Sequence, residues 1–88
     1  MKLIISIIRD VDNEPVSHAL TAANFRVTFI ASTGGFLRRG NTTLLIGLED
    51  EQVETALQII RTNCSPATES DARRATIFVV KVDQFVHF

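Results

Sequence analysis

The chain contains one cysteine and no tryptophan or tyrosine, with two prolines and four glycines in 88 residues. Lone Cys64 rules out a disulfide framework and a cysteine-based metal cluster, and it reads as a small apolar residue at a helix end. The formal net charge is −1. With no acidic or basic tail, nothing favours general attraction to nucleic acid polymers or to a membrane surface, so any anion site must be local. The opening MKLIISIIRD has a lysine and a short apolar run. Ser6 breaks that run, Arg9-Asp10 ends it and no cleavage pattern follows, so a first strand and a cytoplasmic location are expected. His18 and His87 lack the spacing of a metal pair, and no serine sits in a nucleophile elbow. Catalysis has no support here, and a binding or regulatory module is favoured.

What is present is apolar material: 45% hydrophobic residues, six of them phenylalanine. That suits a single domain over residues 1–88 with a modest core, which association would help. Leu3 to Ile8 reads as a strand, and Asp10 to Pro15 as a turn and helix start with Pro15 in the first turn. Val16, Ala19, Leu20 and Ala23 mark one helical face, and Asn24 suits the left-handed residue after the helix. Phe25, Val27, Phe29 and Ala31 alternate with Arg26, Thr28 and Ile30, which is strand periodicity. Thr42 to Leu48 is a further strand in which Gly47 suggests a bulge or a close approach. Glu49-Asp50-Glu51 opens a second helix with the stripe Val53, Ala56, Leu57 and Ile60, ended at Cys64-Ser-Pro. A polar loop and a last strand, Ala75 to Val82, follow. The order β-α-β-β-α-β predicts an α+β, ferredoxin-like fold: a four-stranded antiparallel sheet with two helices on one face. The other face then needs a cover, for which a neighbouring subunit is the natural candidate.

Between the second and third strands lies Thr33 to Thr43, TGGFLRRGNTT. Glycines let the backbone approach a ligand closely, Phe36 offers a flat apolar face, and Arg38 and Arg39 offer charge to an anion. That suits a nucleotide-like ligand; a Gly-rich hairpin with a solvated tip fits equally well. The predicted topology brings this loop, the turn before the first helix and the loop before the last strand to one end of the sheet. Arg38 and Arg39 would there join Arg73 and Arg74, unless these are simply two solvated pairs.

Asn24-Phe-Arg-Val-Thr, Thr33-Gly-Gly-Phe-Leu, Gly40-Asn-Thr-Thr, Gly47, Ala75-Thr-Ile-Phe-Val-Val and Val82-Asp-Gln-Phe resemble the PII-like cyclic-di-AMP receptor proteins of the PstA type. The resemblance runs nearly end to end. It implies a cytoplasmic, non-enzymatic homotrimer that binds cyclic-di-AMP, or a related adenine nucleotide, in clefts between subunits and signals to a downstream protein. Carried over by motif, the ligand-binding residues would be Asn24, Arg26, Thr28, Gly35, Phe36, Leu37, Asn41, Gly47 and His87, with no catalytic residue, metal or further cofactor. Asn41 and Gly47 would complete one wall of the cleft. Two departures stand out. Family members usually carry a longer loop before the last strand, with an aromatic residue that stacks on adenine, whereas Cys64 to Arg74 contains no aromatic residue. His87 also replaces the family's penultimate glutamine. The alternative reading is a short-loop paralogue that acts as a protein-interaction module with weakened or lost nucleotide binding.

Overall fold

The computed structural model describes residues 1–33, 40–65 and 75–86, with backbone alone for 31–33. The elements are β1 (Lys2–Arg9), α1 (Asp10–Ala22), β2 (Arg26–Thr33), β3 (Asn41–Leu48), a 3-10 turn (Asp50–Gln52), α2 (Val53–Asn63) and β4 (Ala75–Lys81). The strands form one sheet in the order β2-β3-β1-β4, and every neighbouring pair is antiparallel. This is the expected ferredoxin-like α+β arrangement.

Alternation decides which residues meet the helices. On β1, Ile4, Ser6 and Ile8 are buried, and on β3 so are Thr42, Leu44, Ile46 and Leu48. Val16 and Leu20 of α1 and Ala56 and Ile60 of α2 complete the core from above the sheet. The opposite parity forms the open face. There Ile5 lies between Leu45 and Phe78, and Leu3 between Gly47 and Val80. Phe78 remains 52% exposed and Val80 39%, so a strip of apolar surface runs across the centre of this face.

The helix ends follow local chemistry. Asn24 has φ 72°, the left-handed conformation that asparagine tolerates best among residues with a side chain. Its N–H donates to the Thr21 carbonyl (2.9 Å), and the Phe25 N–H returns to Leu20 (3.0 Å). At the start of the second helical segment, the Glu49 N–H donates to Gln52 Oε1 (3.0 Å), while the Glu49 side chain accepts from the Gln52 backbone. This reciprocal cap satisfies donors that a helix start leaves open.

Three local expectations need correction. Helix α1 begins directly after β1 at Asp10, so Pro15 sits in its second turn. Proline removes the N–H that would bond the Val11 carbonyl, and Val11 is exposed, so solvent can replace that bond. On the same helix Ala23 is the exposed cap and Ala19 only half-buried, while Asp12 joins Val16 and Leu20 on the buried stripe. Finally, Gly47 lies in an unbroken ladder with Leu3 and Arg26. The irregularity is in β2, between Phe29 and Ala31, where Ile30 is skipped and half-exposed.

Candidate functional site

Arg26, Gly47, Leu3 and Val80 stand in one row across the four strands, near the end of the sheet where β1 begins. The next row in, toward the centre of the sheet, pairs Thr28 with Leu45. Because these positions share the open-face parity, their side chains converge instead of alternating away. Of them, Leu3, Arg26, Thr28, Leu45 and Gly47 line a cleft of about 720 Å³, together with Lys2. Leu3 and Leu45 give it an apolar floor, and Arg26 and Thr28 give it a polar wall. The chain leaving β4 closes the rim. The Val82 N–H donates to the Met1 carbonyl (3.1 Å), which carries Gln84 and Phe85 onto the cleft. Arg26 is exposed and has no ion-pair partner among the described residues. It can meet an incoming anion without first breaking a pair. At Gly47, a Cβ would meet only the Met1 Cε at 3.4 Å, an ordinary contact. The glycine therefore leaves room above the backbone that the fold itself does not need.

The opposite end of the sheet is built differently. Asp12 is fully buried. Its Oδ1 accepts from the Ser65 N–H (2.9 Å) and the Ser65 hydroxyl (2.7 Å), and its Oδ2 from Arg9 Nε (3.1 Å). Arg9 Nη2 lies 2.9 Å from the same oxygen and also donates to the Ser65 carbonyl. Beside this cluster the Asp10 N–H donates to the Gly40 carbonyl (3.1 Å), and the Thr42 hydroxyl donates to the Asp10 carboxylate. Burial alone would push the Asp12 carboxyl up, but the Ser65 donors and the Arg9 charge outweigh it and hold the group below its ordinary value. This latch ties the start of α1 to Gly40 and Ser65, the described residues that flank segments 34–39 and 66–74. The predicted meeting of three connections at one end thus holds at their roots.

Of the residues expected to hold a ligand, Arg26, Thr28 and Gly47 line the cleft, and Asn24 is exposed in the turn just before β2. Asn41 is elsewhere. It pairs with Arg9 and Thr33 at the latched end, six residues along β3 from Gly47, roughly 20 Å at the usual strand rise. Asn41 and Gly47 therefore do not form one wall within a chain. Gly35, Phe36, Leu37 and His87 lie outside the described residues, as do Arg38, Arg39, Arg73 and Arg74. The sequence reading missed Leu3, Leu45, Gln84 and Phe85. The first two follow from strand pairing, which alternation alone does not supply. Gln84 and Phe85 depend on the tail's turn back across Met1.

A family model described as cyclic-di-AMP receptor matches residues 1–70 of the chain. The fold is also similar to a crystal structure of a functionally unknown protein from Pediococcus pentosaceus ATCC 25745. The TM-score is 0.77 at 37% identity, over 99% of this chain and 96% of the other.

Proposed function

We propose, because the chain belongs to the cyclic-di-AMP receptor family, that it is a non-enzymatic, cytoplasmic signalling protein that binds cyclic-di-AMP between the subunits of a homotrimer. The observation that carries this reading is the cleft at Arg26, Thr28 and Gly47. A cyclic dinucleotide presents phosphodiester anions and flat, hydrogen-bonding bases. Arg26 supplies a charge-assisted donor to a phosphate, Thr28 a hydroxyl, and Gly47 the space for close approach. Among the described residues the cleft is lined by cationic, hydroxyl, amide and apolar side chains and by no acid, histidine or cysteine, a set suited to holding an anionic ligand.

The separation of the expected ligand residues supports a role for a neighbouring subunit. Asn41 belongs to the end of the sheet opposite Arg26. If both serve one ligand, the far-end residue must come from a second copy. The uncovered apolar strip of Ile5, Leu45, Phe78 and Val80 supplies surface for such an assembly.

Isothermal titration with cyclic-di-AMP, and separately with ATP, tests the reading. Wild type should bind the cyclic dinucleotide, and Arg26→Ala should weaken it roughly tenfold to a hundredfold, the usual worth of a charged hydrogen bond. Absence of heat with either nucleotide at high micromolar concentration would sink the receptor reading and leave the protein-interaction module in its place.

A further inference from the structure

The cleft has one aromatic surface among its described residues. The chain contains no tryptophan or tyrosine, Phe25 is buried in the core, and Phe29 and Phe78 stand on the two edge strands, away from the cleft lining. Phe85 lines the cleft and is 67% exposed, the most exposed large apolar residue described. A ring this exposed, in a lining it shares with Arg26, Leu3 and Leu45, offers a surface to a flat partner. Gln84, next to it on the same rim, carries a carboxamide that can both donate and accept. That pair of functions matches the edge of an adenine, which presents an amino donor beside a ring-nitrogen acceptor. The segment from Cys64 to Arg74 holds no aromatic residue, so stacking from that side is not available.

We propose that Phe85 is the stacking platform for an adenine base of the bound nucleotide, with the Gln84 carboxamide reading the base edge. The cleft then divides its work: Arg26 and Thr28 take the phosphate side, and the tail takes the base. The assignment rests on the receptor reading above and adds a specificity-determining residue to it.

The test uses F85L, which keeps apolar volume and removes the ring, and F85W, which introduces the chain's only indole. Cyclic-di-AMP should bind F85L roughly tenfold to a hundredfold more weakly than wild type, the loss expected for one stacked base. Light scattering should give the two proteins the same mass. Emission from F85W should fall on titration with cyclic-di-AMP along the same curve as the heat, and should not change with ribose 5-phosphate, which has no base. Wild-type affinity in F85L, an unresponsive indole in F85W, or a loss of binding that accompanies a loss of mass would each overturn the assignment while the receptor reading stands. Failure of wild type itself to bind would remove both, and the wild-type titration separates the two cases.

Discussion

At one end of the sheet, Asp12 is fully buried and accepts from Ser65 and Arg9, while Asp10 accepts from Thr42. At the other end, Arg26 stands exposed above an open backbone at Gly47, with no ion-pair partner among the described residues. The two ends contrast in what their polar groups do for the fold. A buried carboxylate is tolerable only when its oxygens are satisfied, and once satisfied the cluster rigidifies whatever it joins. Here it joins the end of β1 to the flanks of two connections. An exposed arginine contributes almost nothing to folding, which leaves its charge available to a ligand. One end of the molecule is committed to structure and the other is held in reserve.

The sharpest way to break this comparison is to remove one partner at each end. Asp12→Ala leaves Arg9 and the Ser65 donors without their acceptor. It should lower the unfolding free energy by about 3 kcal/mol, the low end for a broken buried pair because Arg9 is only partly buried. Arg26→Ala should leave stability within about 0.5 kcal/mol. Urea melts of both variants check this, and equal destabilisation would erase the distinction.

A smaller effect concerns pH. The Asp12 carboxyl titrates below its ordinary value in the folded chain. A depressed folded-state pKa contributes stability that is fully present above the unfolded value, near 4. That contribution is lost as pH falls through the folded value. The stability gap between wild type and Asp12→Asn should therefore be constant from about pH 5 to 8 and narrow below about pH 4. A gap that narrows instead toward neutral pH would assign the latch to another group.

The smallest expected effect sharpens the rule that satisfaction matters more than burial. Ser6 is buried between Leu44 and Ile77 in the sheet, and its hydroxyl has no partner among the described residues. Ser6→Ala should leave stability unchanged or raise it by up to about 1 kcal/mol, read from the denaturation midpoint. A loss of comparable size would reveal a partner for that hydroxyl.

The two ends also differed in how far the chain betrays them. The fold was legible because β1 and β3 are apolar, β-prone runs, β2 alternates, and both helices carry an apolar stripe. Asn24 announced its left-handed turn through its residue type. Asp12 was different: an acid near a helix start reads as a dipole partner, and only the tertiary approach of Ser65, 53 positions away, turns it into a buried hub. The cleft was half legible. Arg26, Thr28 and Gly47 carry chemistry in their identity, whereas Leu3 and Leu45 look like any strand residues until pairing sets them beside Gly47 and Thr28. Phe85 belongs to a tail whose root is tied to Met1 by the Val82 N–H, a contact between residues far apart in the chain.

The proposed receptor needs one nucleotide site that draws on opposite ends of two subunits. Titration of co-assembled Arg26→Ala and Asn41→Ala chains with cyclic-di-AMP tests it most directly. Each variant alone should bind weakly. Co-assembled at random, about one quarter of the sites in a head-to-tail ring should recover wild-type affinity, because those interfaces pair an intact Arg26 with an intact Asn41. A mixture that gives only the sum of the two weak variants would place both residues in a site within one chain, or only one of them in any site, and would contradict the account.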